Sequence, residues 1–489
     1  MDIRTFRTVK MVLGPEDVIP YTRGHLTPLL WAVKGKHEEV VELLLKRDDI
    51  NPNTADGNGR TPLFMAAWAG HEGMVKMLLE QGGVNPNTAD HGGETPLFRA
   101  VCNGYEGVVK ALLELSDINP NIARGDGETP LSIAAWNGRG KVVRMLLEHS
   151  DVSTNPTNAY GQTPLLMAAK YGHEEIVKML LERGDVGLNT ADHAGETPLS
   201  RAARNGYGGV VKMLLERNDI SPNTQRVGGE TPLFGAAFQG HEEIVRLLLE
   251  RGDADPNIAN NRRETPLFIA TCRGHEGVVK ILLERENVNP NTPDKNGETP
   301  LAGAVWRWHD GVVKILLERW DLNPNITDGN GETPLSWAAR DGQEEIVKML
   351  FERNDINPNT ADDCGVTPLS RAAGCGHEGV VEMLLKREDV NPNTANDRGE
   401  TPLSEAAREG HVGIVKILLE RVGVNPNIAN IAGETPFSQA LKCGHYAIAK
   451  LLSEHRNLIP TLDGAESAAL SSTEPSDLDQ SFSRMIRRL

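Results

Sequence analysis

The sequence predicts an all-α solenoid of about thirteen stacked helix-pair repeats, and three observations carry that reading. The dipeptide Thr-Pro falls at Thr27, Thr61, Thr95, Thr129, Thr163, Thr197, Thr231, Thr265, Thr299, Thr333, Thr367, Thr401 and Thr435, with every step 34 residues long. Two short stretches with apolar residues at helical spacing follow each Thr-Pro. A string of turn formers such as Asn-Pro-Asn-Thr-Ala-Asp then leads to the next Thr. A length of 489 residues would ordinarily suggest about three domains. A repeat array, however, lengthens without adding separate cores.

Each element of the repeat has a physical reason. Counting from the Thr as position zero, Thr is the expected N-cap, and Pro at the first helical position loses nothing by lacking an N–H. Leu at +2 and small residues at +5 and +6, as in Ala66 and Ala67, give the first helix a tightly packing face. Gly at +9, as in Gly70, Gly172 and Gly240, suits the left-handed backbone that ends a helix. The second helix is written EGMVKMLLE at 72–80 and EEIVKMLLE at 174–182. Its Glu-to-Lys pairs, such as Glu72 with Lys76, lie on the exposed side and contribute only tenths of a kcal/mol each. Pro at +25, as in Pro52, Pro290 and Pro392, stiffens the connector, and Asn stands at +26 in the first twelve repeats.

Composition narrows the function. Apolar content of 39% and charged content of 24% fit a folded, soluble protein. No run of about 18 apolar residues is present, so no membrane span is expected. The opening MDIRTFRTVKMVLGPEDVIP lacks the apolar core of a secretory signal. Five cysteines without a C-x-x-C pair point to a reduced interior, expected to be cytoplasmic with nuclear entry left open. A formal charge of −17 argues against nucleic acid as principal partner, because that binding is dominated by phosphate neutralisation. No phosphate-binding G-x-x-x-x-G-K-[ST], H-E-x-x-H, G-x-S-x-G or calcium-loop spacing occurs. No catalytic residue, cofactor or metal is therefore expected.

A period of 34 also belongs to tetratricopeptide repeats. Their Trp, Gly-Tyr and Ala-x3-Phe signature is missing, and two long helices would leave no room for about ten turn residues. The wording T-P-L-x-x-A-A-x-x-G-H instead resembles the ankyrin repeat, over all thirteen copies. That resemblance implies two short antiparallel helices with a β-turn finger, and one residue more than the usual 33. The His that the family usually places after T-P-L is absent throughout; Leu30, Phe64, Ser132, Ala302 and Ser404 stand in its column. Its hydrogen bond must be replaced or lost. The second family His, at +10, survives in nine repeats from His37 to His445. Copies about 10 Å apart cannot gather such a column around one ion, so these are expected to be structural.

The expected boundaries are a capping half-repeat at 1–20, the array at 21–460 and a disordered tail at 461–489. Residues 9–20 align with 75–86 without a gap, which is the wording of a second helix. The tail is rich in Ser, Asp and Glu and carries no period.

Thirteen copies can also be compared with one another. Variation concentrates at +4, +7 and +8, positions that share one helical face, and at the turn positions −4 and −3. The resemblance makes this the concave face on which ankyrin arrays bind proteins. The candidates are Trp31, Met65, Trp68, Arg99, Trp136, Arg201, Arg204, Phe238, Trp306, Trp337, Arg340, Arg371 and Arg408. Trp, Arg and Met are enriched at protein interfaces, although these side chains could instead pack sideways on one another. Trp31, Met65 and Trp68 form one expected cluster, Trp306 and Trp337 a second, and Arg99, Arg201 and Arg204 a basic third. Glu at −1 recurs in nine repeats, from Glu94 to Glu434, and suggests an acidic stripe along the turn edge, either orienting a partner or simply solvated.

The expected function is a non-catalytic scaffold or adaptor, monomeric, binding protein partners without nucleic acid or membrane. The near-identity of the copies is also similar to ankyrin arms of filamentous fungi, which often follow NACHT-type nucleotide-binding domains. An alternative is therefore the recognition arm of a larger sensor or ubiquitin ligase, with this chain standing alone or as a fragment.

Overall fold

The computed structural model describes residues 27–455, and the expected cap at 1–20 and tail at 461–489 lie outside them. The chain divides between Asp255 and Pro256 into two compact halves. The N-terminal half carries first helices from Pro28–Lys34 to Pro232–Gln239 and second helices from Glu38–Leu45 to Glu242–Glu250. The C-terminal half carries first helices from Pro266–Cys272 to Pro436–Lys442 and second helices from Glu276–Leu283 to Tyr446–Glu454. Within each half, a first helix packs on its own second helix and on the first helix of the next repeat. The described residues contain helices and turns but no strand.

The N-caps form as expected. In each of the thirteen described repeats the Thr side chain accepts the backbone N–H of residue +3, as Thr61 does from Phe64 at 3.2 Å. Residue +9 always adopts positive φ. Eleven repeats use Gly there, but Lys36 and Trp308 hold the same left-handed backbone at φ 60. The +9 residue turns the chain so that the backbone N–H of +10 reaches the carbonyl of +5, as His71 reaches Ala66 at 3.0 Å.

The missing His after T-P-L is replaced in two ways. Phe64, Phe98, Phe234 and Phe268 fill its place as some of the largest fully buried side chains. Leu30, Leu166 and Ala302 are likewise buried apolar substitutes. In the other six repeats the residue is Ser, which can take up polar bonds: Ser200 accepts the backbone N–H of Thr197 at 2.8 Å and donates to Glu196 at 2.7 Å. The +10 histidines tie repeats together, as expected of structural residues. Nε2 of His173 meets the carbonyl of Trp136 at 3.1 Å, and His377 meets that of Arg340 at 2.8 Å. Their shared faces are sealed by Val, Ile and Leu, such as Val211, Leu214, Val313 and Leu316, all fully buried.

The Asn at +26 forms a ladder that pattern reading alone did not resolve. Asn325 donates Nδ2 to the carbonyl of Asp355 at 2.6 Å and accepts the N–H of Asn357 at 2.8 Å. The same double bond is made by Asn53 to Gly83 and Asn85, and by Asn121 to Asp151 and Ser153. Turn tips are joined as well: the N–H of His193 reaches the carbonyl of Tyr160 at 2.9 Å, and Asp363 reaches Asn330 at 3.0 Å.

Candidate functional site

The helix register turns +4 and +7 of each first helix away from the residues at +2, +5 and +6, which are buried throughout the described array except for the half-buried Phe437 of the last repeat. None of the thirteen candidate residues is buried. Trp68, Trp136 and Trp306 are the most open of the candidate tryptophans, at 38%, 42% and 49% of full exposure. Trp31, Met65, Arg99, Arg201, Arg204, Phe238, Trp337, Arg371 and Arg408 are half-buried, and Arg340 is exposed. The column is not uniform, because Cys272 at +7 is buried and its thiol is pushed up to about 12 by desolvation.

In the N-terminal half, Trp68 lies between two guanidiniums, Arg60 at 5.2 Å and Arg99 at 5.5 Å from its ring centre. Its ring also meets Phe64 edge-on at 6.4 Å, while Trp31 packs against His37 at 5.1 Å. Trp136 lies 6.4 Å from Tyr171, and Arg204 stands over Phe238 at 6.0 Å. In the C-terminal half, Trp306 and Trp337 meet in a T-shaped pair at 6.4 Å. They wall a cleft of about 240 Å³ with Asn296, Glu298, Asp328 and Asn330. A larger hollow of about 410 Å³ opens beside Arg371 and Arg408, where Gly374 leaves position +7 without a side chain. Sideways packing and accessibility therefore coexist in the same residues.

Two electrostatic expectations are corrected. The glutamates at −1 do not form an exposed stripe: Glu94, Glu128, Glu196, Glu332 and Glu400 are buried behind the first turn of the helix. Nor are Arg99, Arg201 and Arg204 a bare basic cluster. Arg99 pairs with Glu94 at 2.5 Å, Arg201 with Asp192 at 3.0 Å, and Arg204 with Glu196 at 3.4 Å. In the C-terminal half Arg371 bridges Asp362 at 2.5 Å and Glu332 at 3.0 Å, and Arg340 stands 3.9 Å from Glu332. Arg408 pairs with Glu400 at 3.3 Å and Glu405 at 2.5 Å. A half-buried carboxylate needs a counter-charge to offset desolvation, and the arginines supply it. Burial nevertheless pushes the Glu298, Glu332 and Glu405 carboxyls above their ordinary range, against the pull of neighbouring arginines.

The sequence pattern did not single out Arg60, Tyr171 and Arg307, which complete the aromatic contacts, or Asp328 in the cleft, whereas Glu298 there is one of the −1 glutamates. The turn position −5 held the signal for Asp328, since Asp56, Asp90, Asp192, Asp294, Asp328 and Asp362 occupy it. Among the described residues, no group of His, Cys, Asp and Glu is placed to hold a metal, and no helix is long and apolar enough to cross a membrane.

A family model described as ankyrin repeats (3 copies) matches residues 5–90, 83–157, 150–226, 185–260, 233–328, 320–394 and 388–461. None of the curated proteins compared with the chain matches it. Among solved structures, the chain is similar to the ankyrin repeat domain of Bcl-3, titled a unique member of the IkappaB protein family. That likeness has 29% identity, 46% of this chain and 99% of that chain covered, and a TM-score of 0.41. Ankyrin repeats are in general protein–protein interaction modules, and no catalytic family is indicated. The matched segments run through nearly the whole sequence, and the chain belongs to the ankyrin repeat family.

Proposed function

We propose that this chain is a non-catalytic scaffold that binds partner proteins through the +4 and +7 face of its first helices and the adjoining turn tips. The observation that carries the reading is the exposure of Trp68, Trp136 and Trp306 in one register, beside helix positions that are otherwise buried. An indole left half open at a fixed repeat position offers a large apolar area at low entropic cost, as interface anchors do. The paired arginines add planar donors held in place by their own carboxylates, so little side-chain entropy is lost when they are covered. Internal neutralisation also means that the face recognises shape and aromatic surface more than net charge. The near-identical wording of the copies supports a second reading, in which this face is the recognition arm of a larger sensor or ubiquitin-ligase adaptor.

Affinity capture with the wild type beside a Trp68→Ala/Trp306→Ala variant tests the assignment. A Lys141→Ala/Arg144→Ala variant on a second helix serves as the control, because both side chains are solvent-exposed there. The tryptophan variant is expected to lose proteins that both the wild type and the control retain. Equal recovery from all three would contradict the proposed face.

A further inference from the structure

The repeats supply their own comparison for the cleft at Trp306 and Trp337. In two of the three repeats where position −5 is Asp and +4 is Arg, the guanidinium closes on that carboxylate, while in the third Arg99 turns to Glu94 rather than Asp90. Arg201 reaches Asp192 at 3.0 Å and Arg371 reaches Asp362 at 2.5 Å. In the repeat of Thr333 the Asp is kept but +4 is Trp337, whose Nε1–H donates to Asp328 at 3.3 Å. The other bonds of the Asp328 carboxylate come from the backbone N–H groups of Asn330 and Glu332, both at 2.9 Å. Among the described residues no cationic side chain closes on Asp328.

Neither of the two guanidiniums nearest the indoles closes on Asp328. Arg307 lies 4.5 Å from the centre of the Trp306 ring but donates to Glu298 at 2.9 Å and to the carbonyl of Gly303 at 3.1 Å. Arg340 lies 5.1 Å from the centre of the Trp337 ring and pairs with Glu332. An open carboxylate therefore faces a cleft of about 240 Å³ walled by two aromatic rings. Such a cleft suits a planar cation that stacks on indole while its N–H groups fork onto a carboxylate. A guanidinium meets both demands; an ammonium is a compact, strongly hydrated charge without a stacking plane.

We infer that this cleft receives an arginine side chain of a bound partner segment, in the place that an internal arginine fills beside Asp192 and Asp362. The inference rests on the protein-binding reading above and adds the chemistry recognised at one point of that face.

The test titrates the full chain with acetyl-Gly-Arg-Gly-amide, read by the indole N–H signals of the tryptophans. Acetyl-Gly-Lys-Gly-amide and the citrulline peptide, which keeps the shape without the charge, are run beside it. Saturable shifts of two indole signals are expected with arginine, and binding at least about tenfold weaker with citrulline and with lysine. Trp337→Arg restores the internal pair found in the repeats of Thr197 and Thr367 and is expected to abolish the response. Asp328→Asn places the residue already found at Asn260 and Asn396, and is expected to weaken binding about tenfold. Both substitutions copy folded repeats, so loss of binding is not loss of fold, and matching urea midpoints check this. No saturable response, equal binding of the lysine or citrulline peptide, or full binding by Trp337→Arg would overturn the inference. If the arginine probe fails while Trp68→Ala/Trp306→Ala still loses captured partners, this inference falls and the proposed face stands.

Discussion

Trp308 occupies a backbone conformation that eleven other repeats give to Gly, with φ at 60, and its ring is 57% exposed. A left-handed bulky residue costs roughly 1–2 kcal/mol, and an exposed ring returns little by burial. Trp308→Gly is therefore expected to raise stability by about 1 kcal/mol, read as a higher urea midpoint at unchanged slope. The asparagine ladder runs in the opposite sense. Asn325→Ala removes two hydrogen bonds between successive turns. It is expected to lower stability by about 1–2 kcal/mol in the same measurement, at a net worth of about 1 kcal/mol per bond. The sequence marked this asparagine as fixed without revealing its partners, because its bonds span 30 and 32 residues. Only the distance between stacked copies decides that such groups meet, and no local pattern encodes that distance.

The helices themselves were legible almost to the residue. Thr with Pro after it, a small-residue face and a chain reversal at +9 act within a few residues, so each signal is complete in the local sequence. The −1 glutamates were misjudged because periodicity does not say which side of a turn faces the helix. A clue was nevertheless present: Glu196, Glu332 and Glu400 each stand eight residues before an arginine at +7. The first turn of the helix folds these pairs together and covers the carboxylate. Glu332 shows the consequence. Desolvation is the largest influence on its carboxyl and holds it above the ordinary 4.5, although Arg371 and Arg340 pull it down. Because the folded state favours the protonated form, ionised Glu332 weakens the fold near neutral pH. That penalty is relieved as pH falls through the raised value, and stability rises accordingly. Urea melts between pH 7 and the ordinary carboxylate range are expected to show this rise in the wild type. In Glu332→Gln, which has no proton to bind there, the rise should be smaller. Equal slopes would show that burial at this position does not govern its titration.

Across each half of the chain, identical side chains build the stack and dissimilar ones are left on the first-helix face. The fold class and the placement of that face followed from comparing thirteen copies inside one sequence, since core positions must repeat for neighbours to fit. The electrostatics of the face did not follow, because whether Arg204 or Arg371 is free depends on carboxylates in the preceding turn and the adjacent repeat. Nor did the open carboxylate of Asp328, which is recognised only when the sibling repeats are overlaid in space. The proposed binding face yields one direct measurement, oxidative footprinting of the tryptophans with and without a captured partner. Trp320, 88% exposed in a connector after a second helix, is the internal reference. Protection of Trp68, Trp136 or Trp306 with Trp320 unchanged is the result predicted; protection of Trp320 while those three stay reactive would contradict it.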